Sequence, residues 1–186
     1  MADLKSLKLT TASDAGIGGD LTGITDNATE AAIVISSDEE VTMPLQPAFL
    51  AYANSTVSDV TGAATVATIG FNIEVYDQGG NFATPTFTAP ITGRYFLTST
   101  LYWGGMTAAG DFAEIKFVTS NRSYCQTIAD ENDMSPWESI TITVVADLDA
   151  SDTVSVTFRV HTEASDVIDI VGTADVRTSF SGCLLA

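Results

Sequence analysis

The segment Val154-Ser155-Val156-Thr157-Phe158-Arg159-Val160-His161 alternates apolar and polar residues from end to end. Successive side chains of a strand point to opposite faces, so Val154, Val156, Phe158 and Val160 share one face, whereas a helix would scatter them around its circumference. One face therefore covers a core, and the other meets water or an interface. Ile140-Thr141-Ile142-Thr143-Val144 alternates in the same way. Outward from these two runs, β-prone stretches recur between clusters of Gly, Asn, Asp and Pro. They predict strands over Ala48–Ala53, Ala64–Ile69, Phe71–Tyr76, Phe87–Ala89, Gly93–Trp103, Phe112–Ser120, Ser123–Ile128, Ser139–Ala146, Thr153–Thr162 and Ser179–Leu185. None of them carries the period of a three-turn helix. About ten strands at this spacing predict an all-β, antiparallel ten-strand jelly-roll sandwich and not alternating βα units.

Composition narrows the partners. The chain has 186 residues, with 24 Asp and Glu against 7 Lys and Arg, for a formal charge of -17. Hydrophobic residues make up 45% and charged residues only 17%, which is far too apolar for a disordered acidic tail. No basic residue stands between Lys8 and Arg94. A phosphate backbone is met by clustered Lys and Arg, so neither nucleic acid nor an anionic membrane surface is an expected partner. No apolar run approaches the ~20 residues that cross a bilayer as a helix. Met1-Ala2-Asp3-Leu4-Lys5 is not followed by the apolar segment of a secretory signal, so the expectation is a chain made in a cytoplasm, without membrane insertion. Cys125 and Cys183 have no CxxC or CxxH neighbours and read as small buried thiols, not as a disulfide framework or a zinc site.

Residues 1–45 read as an extended N-terminal arm, rich in Gly, Thr, Ala and Asp and without a sustained period. Within it, Gly16-Ile17-Gly18-Gly19-Asp20 has no strand before it and no helix after it, so it reads as a turn and not as a phosphate loop. Ala32-Ile33-Val34-Ile35 and Val41-Thr42-Met43-Pro44 flank the polar Ser36-Ser37-Asp38-Glu39-Glu40 and predict a short strand pair. Pro44 and Pro47 mark the boundary to a head domain over residues 46–186.

Three motifs in the head follow one another in a known order. Gln46-Pro47-Ala48-Phe49-Leu50-Ala51 opens it, Phe87-Thr88-Ala89-Pro90-Ile91-Thr92-Gly93-Arg94-Tyr95-Phe96-Leu97 lies in the middle, and Phe180-Ser181-Gly182-Cys183-Leu184-Leu185 closes it. This order resembles the complement-component-one-q-like globular head of the tumour-necrosis-factor-like jelly-roll superfamily. Leu97 and Ser99 stand where that family usually has aromatics, and Cys183 replaces a large apolar residue. The resemblance implies a compact homotrimer, with Tyr95, Leu97, Tyr102 and Leu185 as candidate trimer-interface residues. The Ile33–Pro44 segment is similar to the strand-turn-strand that leads into such heads in bacteriophage fibre proteins.

Catalytic signals are sparse. The only imidazole, His161, falls in phase with the polar residues Thr157 and Arg159, which places it on a wet face and not beside a nucleophile. Scattered carboxylates are simply abundant, so an enzyme is not expected. Asp130-Glu131-Asn132-Asp133 is oxygen-rich enough to suit a hard cation, and Asp130, Glu131 and Asp133 are its candidate Ca²⁺ ligands, although the spacing is not that of an EF-hand. No cofactor is required. Trp103 and Trp137 are candidate ligand-binding aromatics of the kind that hold sugar rings, with core or interface packing as the plainer alternative.

With no catalytic signal beside it, the resemblance implies a non-enzymatic structural protein of a phage virion. It would be a trimeric fibre or spike knob that attaches to a host-surface glycan or protein, with the arm contacting other virion proteins. A capsid decoration or cement trimer is the alternative, and a non-viral trimeric binding ligand a further one.

Overall fold

In the computed structural model, residues 33–35, 38, 40–107, 112–129 and 137–185 are described, and fifteen strands run through them, each antiparallel to its neighbours. In chain order they are β1 (Val34–Ile35), β2 (Val41–Thr42), β3 (Ala48–Tyr52), β4 (Val57–Thr61), β5 (Ala67–Thr68), β6 (Ile73–Gln78), β7 (Phe82–Ala83) and β8 (Thr86–Thr88). There follow β9 (Gly93–Gly104), β10 (Phe112–Thr119), β11 (Ser123–Ala129), β12 (Trp137–Leu148), β13 (Thr153–Val160), β14 (Ile168–Ile170) and β15 (Ser179–Leu184). The described residues belong to one unit, Ala32–Ala186.

β1 and β2 pair with each other, as the polar turn between two β-prone runs predicts. The other strands build two sheets. One has the order β11-β10-β13-β8-β7, with β5 on the free part of the β13 edge. The other runs β4-β14-β9-β15-β3-β6, with β12 along the opposite edge of β9. The ten expected strands are all present. Three additional short ones, β4, β7 and β14, extend the sheets.

Alternation decides what lies between the sheets. Val154, Val156, Phe158 and Val160 of β13 are buried, as are Tyr95, Leu97, Leu101 and Trp103 of β9. Phe49 of β3 stacks on Phe87 of β8 at 4.6 Å and meets Phe180 of β15 edge-on at 4.8 Å. Phe117 of β10 reaches Phe180 from the opposite sheet at 5.4 Å. Such aromatic pairs contribute ~0.5–1.5 kcal/mol each beyond the area they bury. Gly182 is required where β15 crosses this layer: a Cβ there would lie 2.7 Å from Leu97 Cδ2 and 2.9 Å from Phe49 Cε1.

Candidate functional site

The outer face of the seven-stranded sheet is the feature that the fold leaves unexplained. Cross-strand register places its outward residues in three rows. Ile73, Tyr52, Ser179, Thr100 and Thr141 form the first; Tyr76, Leu50, Ser181, Thr98 and Thr143 the second; Gln78, Ala48, Cys183, Phe96 and Val145 the third. None of these side chains is charged, in a chain that carries 24 acidic residues. Threonine hydroxyls share hydrogen bonds across β9 and β12, Thr98 with Thr143 and Thr100 with Thr141, both at 2.9 Å. Within each pair one hydroxyl donates and the other accepts, so the two side chains pair with each other across the strands. Phe96 and Val145 sit opposite each other and are exposed.

An aromatic pair flanks the first row. Tyr102 on β9 stacks with Trp137 on β12, ring centroids 6.0 Å apart, and the Arg177 guanidinium lies 5.2 Å from the centre of the Tyr102 ring. Trp137 lies over Gly104, where a Cβ would come within 2.3 Å of the indole. The indole is 53% exposed, so a partner has access to it.

Several residues read from the sequence need correction or placement. Cys125 on the edge strand β11 is exposed and Cys183 on the outward side of β15 is half-buried, so neither is a core thiol. Tyr95 and Leu97 are fully buried in the protomer's own core and cannot meet a neighbour. Their parity on β9 is that of Leu101, while Tyr102 has the opposite parity and lies on the outer side. Tyr95 Oη donates to the Ile91 carbonyl at 2.7 Å; burial pushes this phenol's pKa up, and that hydrogen bond only partly opposes the shift. Trp103 is likewise a core residue, packed 4.8 Å from Phe158, and is unavailable to a ligand. Trp103 and Trp137 thus lie on opposite faces of one sheet. Leu185 is exposed at the end of β15. Asp130, Glu131 and Asp133 lie outside the described residues, and among the described residues no group of three or more His, Cys, Asp or Glu is placed to hold a metal ion.

His161 does not face open solvent as its strand parity suggests. Its ring stacks on Phe112 at 3.8 Å, and Nε2 is buried without a partner among the described residues. The uncharged rows themselves escaped sequence reasoning. Their signal was the wet side of Ser139–Ala146, which is Ser, Thr and Val with no charge at all.

No family model matches the sequence, and no curated protein matches it. Solved structures do. The globular domain of zebrafish complement 1qA protein is similar at 18% identity with a TM-score of 0.51, over 75% of this chain and 98% of that one. Murine APRIL is similar at 14% identity, with TM-scores of 0.50 in a crystal at pH 8.5 and 0.51 at pH 5.0, over 75% of this chain and 99% of that one. At these identities the likeness is one of fold, and it runs through nearly the whole length of both neighbours. The chain therefore has the jelly-roll head fold of the complement-one-q and tumour-necrosis-factor type.

Proposed function

We propose that this chain is a non-enzymatic binding module that works as a homotrimer, each protomer covering part of the uncharged sheet face of the next. The observation that carries this reading is the three-row face without a single charge. Three copies bring together three times a formal charge of -17, so carboxylates gathered at a shared surface would repel unless a basic side chain or a cation stood between them. A face of methyls, hydroxyls, Phe96, Val145 and Leu50 has no such cost and gains from leaving water. The same face on every copy suits closed symmetric association.

Within this reading the module is the knob of a virion fibre or spike, made in a host cytoplasm and attached through residues 1–45 to other virion proteins. The β1–β2 hairpin ahead of the head supports a fibre-like entry. Immunogold microscopy of virions from the source culture, with antibody to this chain, tests it. Label at fibre or spike tips is the expected result. Label over capsid faces assigns a decoration role instead, and virions without label overturn the virion reading.

A further inference from the structure

Five basic side chains are described: Arg94, Lys116, Arg122, Arg159 and Arg177. Arg122 is committed to Asp147 at 2.8 Å, and Arg177 lies over Tyr102. Lys116 and Arg159 instead converge on the outer face of the other, six-stranded sheet. Glu114 and Lys116 are two residues apart on β10 and so share a face, and register puts Arg159 of β13 opposite Glu114 and Thr157 opposite Lys116. Lys116 Nζ lies 2.8 Å and Arg159 Nε 2.7 Å from the same oxygen, Glu114 Oε1. The Cys125 thiol donates to Oε2 at 3.1 Å.

One cation would neutralise that carboxylate; two leave a surplus positive charge. They flank a pocket of about 230 Å³ that Glu114 itself also lines, with Ser123, Thr157, Val66, Val118 and Phe158. An ammonium has three donors and a guanidinium five, and Glu114 takes one from each, so among the described residues the Arg159 Nη groups and the remaining Lys116 protons have no other partner. The Ser123 and Thr157 hydroxyls have no hydrogen-bond partner among the described residues. Remote carboxylates act weakly here, since solvent ions screen them beyond ~8–10 Å. Within the lining itself, two cations stand against one carboxylate.

We infer that this pocket binds one acidic sugar residue, its carboxylate on Lys116 and Arg159 and its hydroxyls on Ser123 and Thr157. The volume, below the ~300–1,000 Å³ of larger ligand sites, fits a single ring. A lone acidic side chain would use the cations and leave both hydroxyls unmatched, which favours the sugar. Every group comes from one protomer and from the sheet opposite the uncharged face, so the site does not depend on trimerisation.

Saturation-transfer NMR on the full chain tests this with three probes: glucuronate, neutral methyl glucoside and glutarate. Glucuronate is expected to give a signal that weakens with added salt, the neutral sugar none, and glutarate a weaker one. Lys116→Gln, which leaves Arg159 on Glu114, is expected to weaken glucuronate binding by about tenfold or more. Val66→Trp, which obstructs the pocket without altering its charge, is expected to abolish it. Equal signals from the neutral sugar, binding that survives both substitutions, or glutarate bound as well as glucuronate would overturn the assignment. Thermal melts of both variants separate lost binding from lost fold.

Discussion

A charge placed at the centre of the uncharged face separates folding from assembly. Thr98 lies on β9 between Thr143 of β12 and Ser181 of β15, with its hydroxyl 2.9 Å from that of Thr143. Its side chain points away from the aromatic layer, so Thr98→Lys leaves the core untouched and is expected to change protomer stability by no more than ~1 kcal/mol. In the trimer, however, the ammonium has to leave water for a surface that offers no carboxylate. The effective penalty for burying such an ion is several kcal/mol. Taking ~3 kcal/mol per protomer, the three copies lose ~9 kcal/mol, about six decades in the assembly constant. Light scattering behind size exclusion at micromolar concentration reads the outcome, with thermal melts as the control. The expected result is a folded monomer whose melting temperature stays within ~4 °C of the unassembled wild type. A Thr98→Lys trimer that persists through hundredfold dilution would refute the placement of the interface.

Phe180→Ala removes the ring that Phe49, Phe71, Phe82 and Phe117 surround, and is expected to cost ~3–5 kcal/mol in urea unfolding; a loss under ~1 kcal/mol contradicts the core as described. Gly104→Ala drives a methyl into the Trp137 ring, so the indole lifts off Tyr102, and its emission moves to the red with easier acrylamide quenching; an unchanged spectrum argues against the stack. Burial pushes the Glu114 carboxyl up, but hydrogen bonds from Lys116, Cys125 and Arg159, with the charge of Arg159, outweigh it and hold the pKa at about 2, down from an ordinary 4.5. A depressed carboxyl stabilises the fold fully above pH 4.5 and loses that contribution as pH falls toward 2, with a ceiling of about 3 kcal/mol. Glu114→Gln should flatten this part of the acid dependence in urea melts at pH 7 and pH 3; an unaltered slope shows that the ion cluster does not act as described.

Strands with a clean period of two were legible residue by residue, β13 and β12 above all. β9 was legible as a strand but not in its parity. Tyr95-Phe96-Leu97 and Leu101-Tyr102-Trp103 offer apolar side chains to both faces, so the sequence alone does not say which side is inside. Contact with the opposite sheet settles it, through Trp103 on Phe158. That ambiguity lets Tyr95 and Leu97 read as interface residues and leaves Trp103 open between a ligand-binding role and the core packing it has. β4 and β14 are not legible for another reason: β4, Val57-Ser58-Asp59-Val60-Thr61, does not alternate, and its pairing with β14 is interrupted between Ile168 and Ile170, close to the positive φ of Asp59. The Lys116–Glu114–Arg159 cluster joins strands far apart in the chain, and no local pattern announces that Arg159 lies opposite Glu114.

The account stands on self-association through the uncharged sheet, and the mass of the untagged protein under native conditions tests it most directly. A single species of three chains at low micromolar concentration is the result it requires. A well-folded monomer in the same sample, with Phe96 and Val145 open to water, would contradict it.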